Sequence, residues 1–246
     1  MMIVNKEVEK YFNIAKSYYY ENNYEESLKN INKVIAMSPE HAIAYYNRGS
    51  IYHRLRDYKK AIYDYKKARI LQPHFTEPIF AIACINIELG NYNQAIEYYE
   101  IVIGEKKDDK KAYVNIGISY YIIGEYENAI AHYLDALDLD KNKKLTYLNI
   151  NIGIAYIKLK RYDIAKKYFE EYLKIIKDKN SNKFENETIK ESKEVFVLKE
   201  RNLVDDMLFL TKNIFDSNLL SYDEKFLLID WIYIKKVDTQ SNYLLQ

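Results

Sequence analysis

His53-Arg54-Leu55-Arg56-Asp57 is the stretch of this chain that looks most like catalytic machinery. A kinase catalytic loop needs His, Arg and Asp in sequence, with an Asn five residues after the Asp. Here Leu55 and Arg56 intervene, and the residue five after Asp57 is Ile62. That chemistry is excluded. The other candidates fare no better. His41, His53, His74 and His132 form no i, i+4 ligand pair and no HExxH motif, so no metal is expected. Cys84 has no basic residue placed to hold it as a thiolate. Glycine forms no phosphate-cradling loop, and no carboxylate pair has a spacing that implies acid–base work. The sequence supplies no catalyst, and neither cofactor nor metal is expected.

What remains must be binding or architecture, and composition narrows it further. Net charge is +1, too small for a global field that would gather nucleic acid or an anionic membrane. The single cysteine excludes an internal disulfide framework and suits a reducing compartment. No run approaches the ~18 apolar residues of a membrane span, and the first residues lack a secretory apolar core. The expected location is therefore the cytoplasm. Six glycines and three prolines in 246 residues disfavour a turn-rich β architecture.

The elements that position the side chains come from a repeat. Tyr24, Tyr58, Tyr92 and Tyr126 are spaced 34 residues apart, and Tyr162 follows after 36. Three residues after each stands a small residue: Ser27, Ala61, Ala95, Ala129, Ala165. Four further on is a large one: Ile31, Tyr65, Tyr99, Tyr133, Phe169. Nine before each tyrosine is a second small residue: Ala15, Gly49, Ala83, Gly117, Gly153. Two antiparallel helices per unit explain these columns, with small residues permitting close approach and aromatic ones filling the gaps. Mid-helix glycine costs ~1 kcal/mol relative to alanine and is accepted for that contact. Turns are expected around Gly90-Asn91 and Gly124-Glu125, and Pro39 and Pro73 end the second helices of the first two units.

The pattern resembles the tetratricopeptide repeat, a helix–turn–helix unit of 34 residues. "AIAYYNRGSIYHRLRDYKKAIYDYKKARILQPHF" (42–75) follows it closely, and the resemblance extends over residues 8–179. Asn86 departs from it where an aromatic is usual, and two extra residues precede the fifth unit. The implied fold is an all-α, right-handed α-α superhelix of five hairpins with C-terminal capping helices. The expected organisation is a lead-in (1–7), units at 8–41, 42–75, 76–109, 110–143 and 146–179, a polar linker (180–193) and a helical cap (194–246).

The resemblance also implies where such a protein binds: in the concave groove lined by the first helix of each unit. Sixth positions read Asn13, Asn47, Ala81, Asn115 and Asn151; fifth positions begin Phe12, Tyr46, Phe80; ninth positions begin Lys16, Ser50, Cys84. A carboxamide both donates and accepts, so a row of them can hold a peptide backbone without reading its side chains. Asn13, Asn47, Asn115, Asn151, Phe12, Lys16, Tyr46, Ser50, Phe80 and Cys84 are therefore the expected peptide-binding residues. The family's carboxylate clamp would want Lys at Phe12, Asn at Lys16, Asn at Asn47, Lys at Glu77 and Arg at Ala81. Only Asn47 matches, so that mode is rejected.

Charge is uneven. Residues 42–75 carry eight Lys/Arg against two Asp, and 76–109 carry seven Asp/Glu against two Lys. One reading is a patch for an acidic partner or RNA at Arg48, Arg54, Arg56, Lys59 and Lys60. The other, preferred because an acidic unit beside it would repel a phosphate backbone, is complementary stacking of neighbours. Residues 226–234, FLLIDWIYI, are apolar nearly all round and are expected to be buried as a cap or to fold over the groove. The expected function is a non-catalytic scaffold or adaptor binding an extended segment of another protein. The alternatives are an oligomeric subunit joined through the C-terminal helices, possible as a homo-oligomer, and an RNA-binding helical repeat.

Overall fold

Two residues before each column tyrosine the backbone turns left-handed: φ is +59° at Asn22 and Arg56, +78° at Gly90, +88° at Gly124 and +58° at Lys160. This is the αL residue of a Schellman close. The next amide then donates back across the helix end: Asn23 to the Tyr18 carbonyl at 2.8 Å, Asp57 to Tyr52 at 2.9 Å, Asn91 to Asn86 at 2.8 Å, Glu125 to Tyr120 and Arg161 to Tyr156, both at 2.9 Å. At Asn23 and Asp57 the side chain also accepts the Glu26 and Lys60 amides, so one residue closes a helix and caps the next. Five hairpins thus use one turn. The glycines expected there are present in only two of them.

A computed structural model describes residues 2–142, 145, 147–161, 163–165, 167–169, 171 and 172. The chain divides into two compact units, Met1–Ala112 and Tyr113–Gln246. The helices in order are α1 (Met2–Tyr20), α2 (Tyr24–Met37), α3 (Ala42–Arg54), α4 (Tyr58–Leu71), α5 (Glu77–Glu88), α6 (Tyr92–Glu105), α7 (Lys110–Ile122), α8 (Tyr126–Asp138) and α9 (Leu148–Lys158). Residues 163–165, 167–169, 171 and 172 are helical too. Every regular element among the described residues is an α-helix. The linker and cap expected from 180 onward lie outside them.

Prolines act as stops. α2 ends at Met37 and α4 at Leu71, each two residues before a proline that cannot continue the helix. His41 is a cap rather than a solvated corner, because its Nδ1 accepts the Ala44 amide at 3.2 Å and starts α3.

The close approach inferred from the small columns is literal. A Cβ placed on Gly49 would stand 2.8 Å from the Tyr65 ring, on Gly117 2.5 Å from Tyr133, and on Gly153 2.4 Å from Phe169. Each aromatic of the second helix lies on a bare Cα of the first. Ala61, Ala95 and Ala129 are fully buried on the second helices. In Met1–Ala112 the core runs from Val8, Ala15, Ile31, Val34, Ala44 and Ile51 through to Ala61, Tyr65, Ile82 and Ile85. In the second unit Ile118, Tyr133, Ile152, Ile154 and Phe169 are its centre. Asn86, placed where an aromatic is usual, is buried without an orphan donor: its amide N–H donates to the Ile82 carbonyl at 3.0 Å. The two extra residues before the fifth hairpin fall where the Asp140 carboxylate accepts the Leu145 amide and closes the longer loop.

Candidate interaction groove

In Met1–Ala112 the first helices α1, α3 and α5 carry the expected groove residues, and all of them reach solvent. Phe12, Tyr46 and Phe80 are half-buried rings, each braced from behind. Phe12 stacks on His41 at 5.4 Å, Tyr46 meets Phe75 at 5.1 Å and Tyr65 at 5.6 Å, and Phe80 meets Tyr99 at 5.1 Å. Such edge and stacked contacts hold ring orientation, so little side-chain entropy is left to lose on binding. Burial, and next the Glu77 carboxylate, push the Tyr46 phenol up to about 12, so it remains a neutral donor.

The amides are less uniform. Asn13 is exposed. Asn47 is half-buried and donates one N–H to the Ile43 carbonyl at 2.7 Å, which fixes the side chain and leaves its acceptor oxygen facing outward bonds. Beside Asn47 a small pocket opens, lined by Ala15, Lys16, Tyr19, Ser27, Ile31 and Ile51. In the second unit Asn115 is fully buried and Asn151 is 9% exposed. The four asparagines therefore share a register, but only Asn13 and Asn47 are open.

Ninth positions proved to be coupled to the core. The Tyr65 hydroxyl donates to Ser50 Oγ at 3.3 Å, Ser50 in turn donates to the Tyr46 carbonyl at 3.0 Å, and Cys84 Sγ lies 3.2 Å from the Tyr99 hydroxyl. In the fourth hairpin the same position is Ile118, and the Tyr133 hydroxyl is buried with no partner. In the fifth, Ile154 faces Phe169, which has no hydroxyl to satisfy. Lys16, the ninth residue of the first hairpin, is exposed. Sequence reasoning missed this pairing, although reading the two columns side by side would have shown polar beside Tyr in the second and third units.

The basic residues of 42–75 are mostly engaged. Arg48 makes a two-pronged pair with Asp64, Nε to Oδ2 at 2.7 Å and Nη2 to Oδ1 at 2.8 Å, and also donates to Asn32. Arg54 donates to the Tyr19 hydroxyl at 3.1 Å, and Lys60 pairs with Asp57 at 2.6 Å. Arg56 and Lys59 are exposed. The charge asymmetry is used between hairpins instead. Arg69 grips Glu105 with both nitrogens and holds that carboxyl below the usual range, while Glu88 accepts from Tyr58 at 2.8 Å and lies 2.9 Å from His53. These ties join the second hairpin to the third, as the stacking reading expects. No group of three or more metal-ligating side chains is clustered among the described residues.

Hairpins of this length and turn, with this column packing, define a helical repeat scaffold. The chain belongs to the tetratricopeptide repeat family: three family profiles, each described as tetratricopeptide repeat, match residues 12–74, 77–109 and 108–178. No curated protein matches it in a sequence search. Solved structures share the fold. A crystal structure of MamA superposes with a TM-score of 0.65 at 20% identity, over 73% of this chain and 97% of that one. MamA from Desulfovibrio magneticus RS-1 gives 0.63 at 19% identity, covering 72% and 98%. YrrB, described as a tetratricopeptide protein with an unusual peptide-binding site, gives 0.57 at 19% identity, covering 70% and 91%.

Proposed function

We propose that this chain is a non-catalytic protein–protein interaction scaffold that holds an extended peptide segment of a partner in the groove of Met1–Ala112. The observation that carries the reading is the braced, solvent-reaching lane of Phe12, Tyr46 and Phe80 beside Asn13 and Asn47. Each amide rung contributes ~1 kcal/mol net, so two rungs alone bind weakly and the aromatic lane supplies most of the affinity. Neighbouring helices pack ~8–10 Å apart and an extended peptide rises ~3.3 Å per residue, so each rung spans about three residues. The preferred ligand is therefore a short segment with apolar side chains spaced about three apart. YrrB, a relative in fold, is described as binding peptide. The reading includes a cytoplasmic location; no helix among the described residues is long and apolar enough to cross a membrane.

The test starts with capture from native lysate and mass spectrometry to obtain a partner, then titrates a labelled peptide from it. Phe80→Ala should raise Kd about tenfold, the equivalent of ~1.4 kcal/mol. Asn47→Ala should weaken binding severalfold while leaving the melting temperature within a degree or two. If both variants bind as the parent does, the groove is idle and the proposal fails.

A further inference from the structure

The two units treat the same helix face differently. At the fifth, sixth and ninth positions of the first three hairpins, no residue is buried. At the same positions of the fourth and fifth, all are: Val114, Asn115, Ile118, Ile150, Asn151 and Ile154 lie between 0% and 9% exposed. Every residue from 148 to 155 in α9 is buried, as is every residue from 114 to 119 in α7. At 100° per residue, six or more consecutive buried positions go all the way round a helix. Each of these helices is therefore enclosed on every side.

Hairpin packing does not account for this. The second helices sit on the glycine side, where Tyr133 meets Gly117 and Phe169 meets Gly153. The buried arc of Ile118, Asn115, Ile154 and Asn151 is turned about 100–160° away from those glycines. α3 is the internal control. Tyr65 lies on Gly49 in the same way, and a hairpin flanks α3 on either side. Yet Tyr46, Asn47 and Ser50 still reach solvent. Something further covers the groove of the second unit.

We propose that the cover is this chain's own residues 226–234, FLLIDWIYI, laid along the groove-facing arc of α7 and α9. The covered surface is mainly aliphatic and needs an apolar partner. Of the residues after 172, this run alone is apolar on nearly all sides, as a segment enclosed in a groove must be. The unit that holds the arc, Tyr113–Gln246, also holds the run. A cover confined to the end of the stack would not enclose α7, one hairpin further in. The second groove is thereby occupied by an intramolecular ligand, and a partner is confined to the first. The inference concerns the second unit only and stands whether or not the first binds peptide.

Trp231, the only tryptophan, lies within the run and serves as the probe. In the full chain with Cys84→Ser, a bimane label is attached at Lys158→Cys on α9, at the exposed rim of the arc, and as a control at Lys16→Cys in the first unit. Bimane is quenched by tryptophan on contact. The expected result is emission at 158 at least halved relative to the same protein carrying Trp231→Phe, unchanged on dilution, with no difference at 16. Native emission from Trp231 should also be blue-shifted and shielded from iodide. Equal bimane emission with and without Trp231 would overturn the proposal, because the run then lies elsewhere. So would quenching lost on dilution, which would assign the groove to a second copy. Both substitutions lie at the rim or in the run, so a labelled protein that melts like the parent gives a clear answer either way.

Discussion

Arg48 separates two views of the basic second hairpin, and its removal has a calculable consequence. The Asp64 side chain is 1% exposed and that of Arg48 19%, with two charge-assisted bonds of 2.7 and 2.8 Å between them. Arg48→Met retains most of the stem and its packing but leaves a carboxylate buried without its cation. Breaking a buried pair this way costs ~3–5 kcal/mol. Because the guanidinium side is open enough to admit water, the lower end, about 3 kcal/mol, is the better figure. For a chain of this size 1 kcal/mol moves Tm by ~2–4 °C, so the expected drop is about 6–12 °C. Asp64→Asn should be milder, ~1–2 kcal/mol, since the freed arginine can rotate toward solvent. Replacing both, Arg48→Met with Asp64→Leu, should recover most of the loss, as apolar replacements of buried pairs do. The measurement is thermal and urea unfolding of the four proteins by circular dichroism, read as a double-mutant cycle. A coupling below about 0.5 kcal/mol, with Arg48→Met as stable as the parent, would refute the structural assignment and return Arg48 to the pool of partner-binding cations.

Arg56 holds φ +59° at the turn where Gly90 holds +78°. Arg56→Gly should stabilise by ~0.5–1 kcal/mol, the αL penalty less glycine's extra chain entropy, and Gly90→Ala should destabilise by about the same amount in the same melts. Tyr133→Phe removes a buried hydroxyl that has no partner and should raise stability by ~1 kcal/mol, whereas Tyr65→Phe, which forfeits the bond to Ser50, should lower it by ~0.5–1 kcal/mol. Alkaline pH gives a further test. Burial raises the Tyr46 phenol to about 12 and pushes Tyr65 and Tyr133 up as well. A raised folded pKa means that the stabilisation is complete below the ordinary tyrosine value of ~10 and is lost as pH rises toward the folded values. Urea midpoints should be flat up to about pH 9.5 and fall steeply above pH 10. Phenolate absorbance of these tyrosines should appear only with unfolding; early, reversible ionisation of every tyrosine would contradict their burial.

How much of this was legible in the sequence depends on whether a residue acts within its own repeat. Columns did: Gly49, Ala61 and Tyr65 form one contact between two helices of one hairpin, so period and size sufficed to infer it. Pro39 and Pro73 were legible for the same reason, as their effect is local. The αL position was half-seen, because attention went to glycine at Gly90 and Gly124. Asn22, Arg56 and Lys160 occupy the same register with the same φ, and the period alone would have placed them. Arg48 was read as surface because nothing in its own helix contradicts that. Its partner Asp64 is 16 residues away, and burial of that carboxylate is a tertiary fact. His41 was taken for a corner since histidine is an uncommon cap, and only the turn geometry reveals that its ring nitrogen faces the Ala44 amide.

The asparagine row shows the limit most clearly. Asn13, Asn47, Asn115 and Asn151 occupy one position of the repeat, and a sequence assigns them one role. Exposure divides them two and two. What differs is not the asparagine but the ninth-position residue beside it: Lys16 and Ser50 in the open hairpins, Ile118 and Ile154 in the enclosed ones. A polar or charged ninth position tolerates water, while isoleucine there adds apolar area that favours cover, ~25 cal/mol for each Å² buried. The same change removes the hydroxyl partner that Tyr65 has in Ser50 and leaves Tyr133 with none, so enclosure and the orphan hydroxyl have a common cause. Ile118→Ser should therefore do two opposed things. It should give Tyr133 a hydrogen-bond partner, worth ~1 kcal/mol, and remove a buried isoleucine side chain from the covered arc, a loss of ~2–4 kcal/mol. A net destabilisation of ~1–3 kcal/mol is expected, with increased exposure of Trp231 to iodide. Placed in the background of Tyr133→Phe, where there is no hydroxyl to rescue, the substitution should cost ~1 kcal/mol more than it does alone. Equal costs in the two backgrounds would show that the ninth position and the column tyrosine are not coupled.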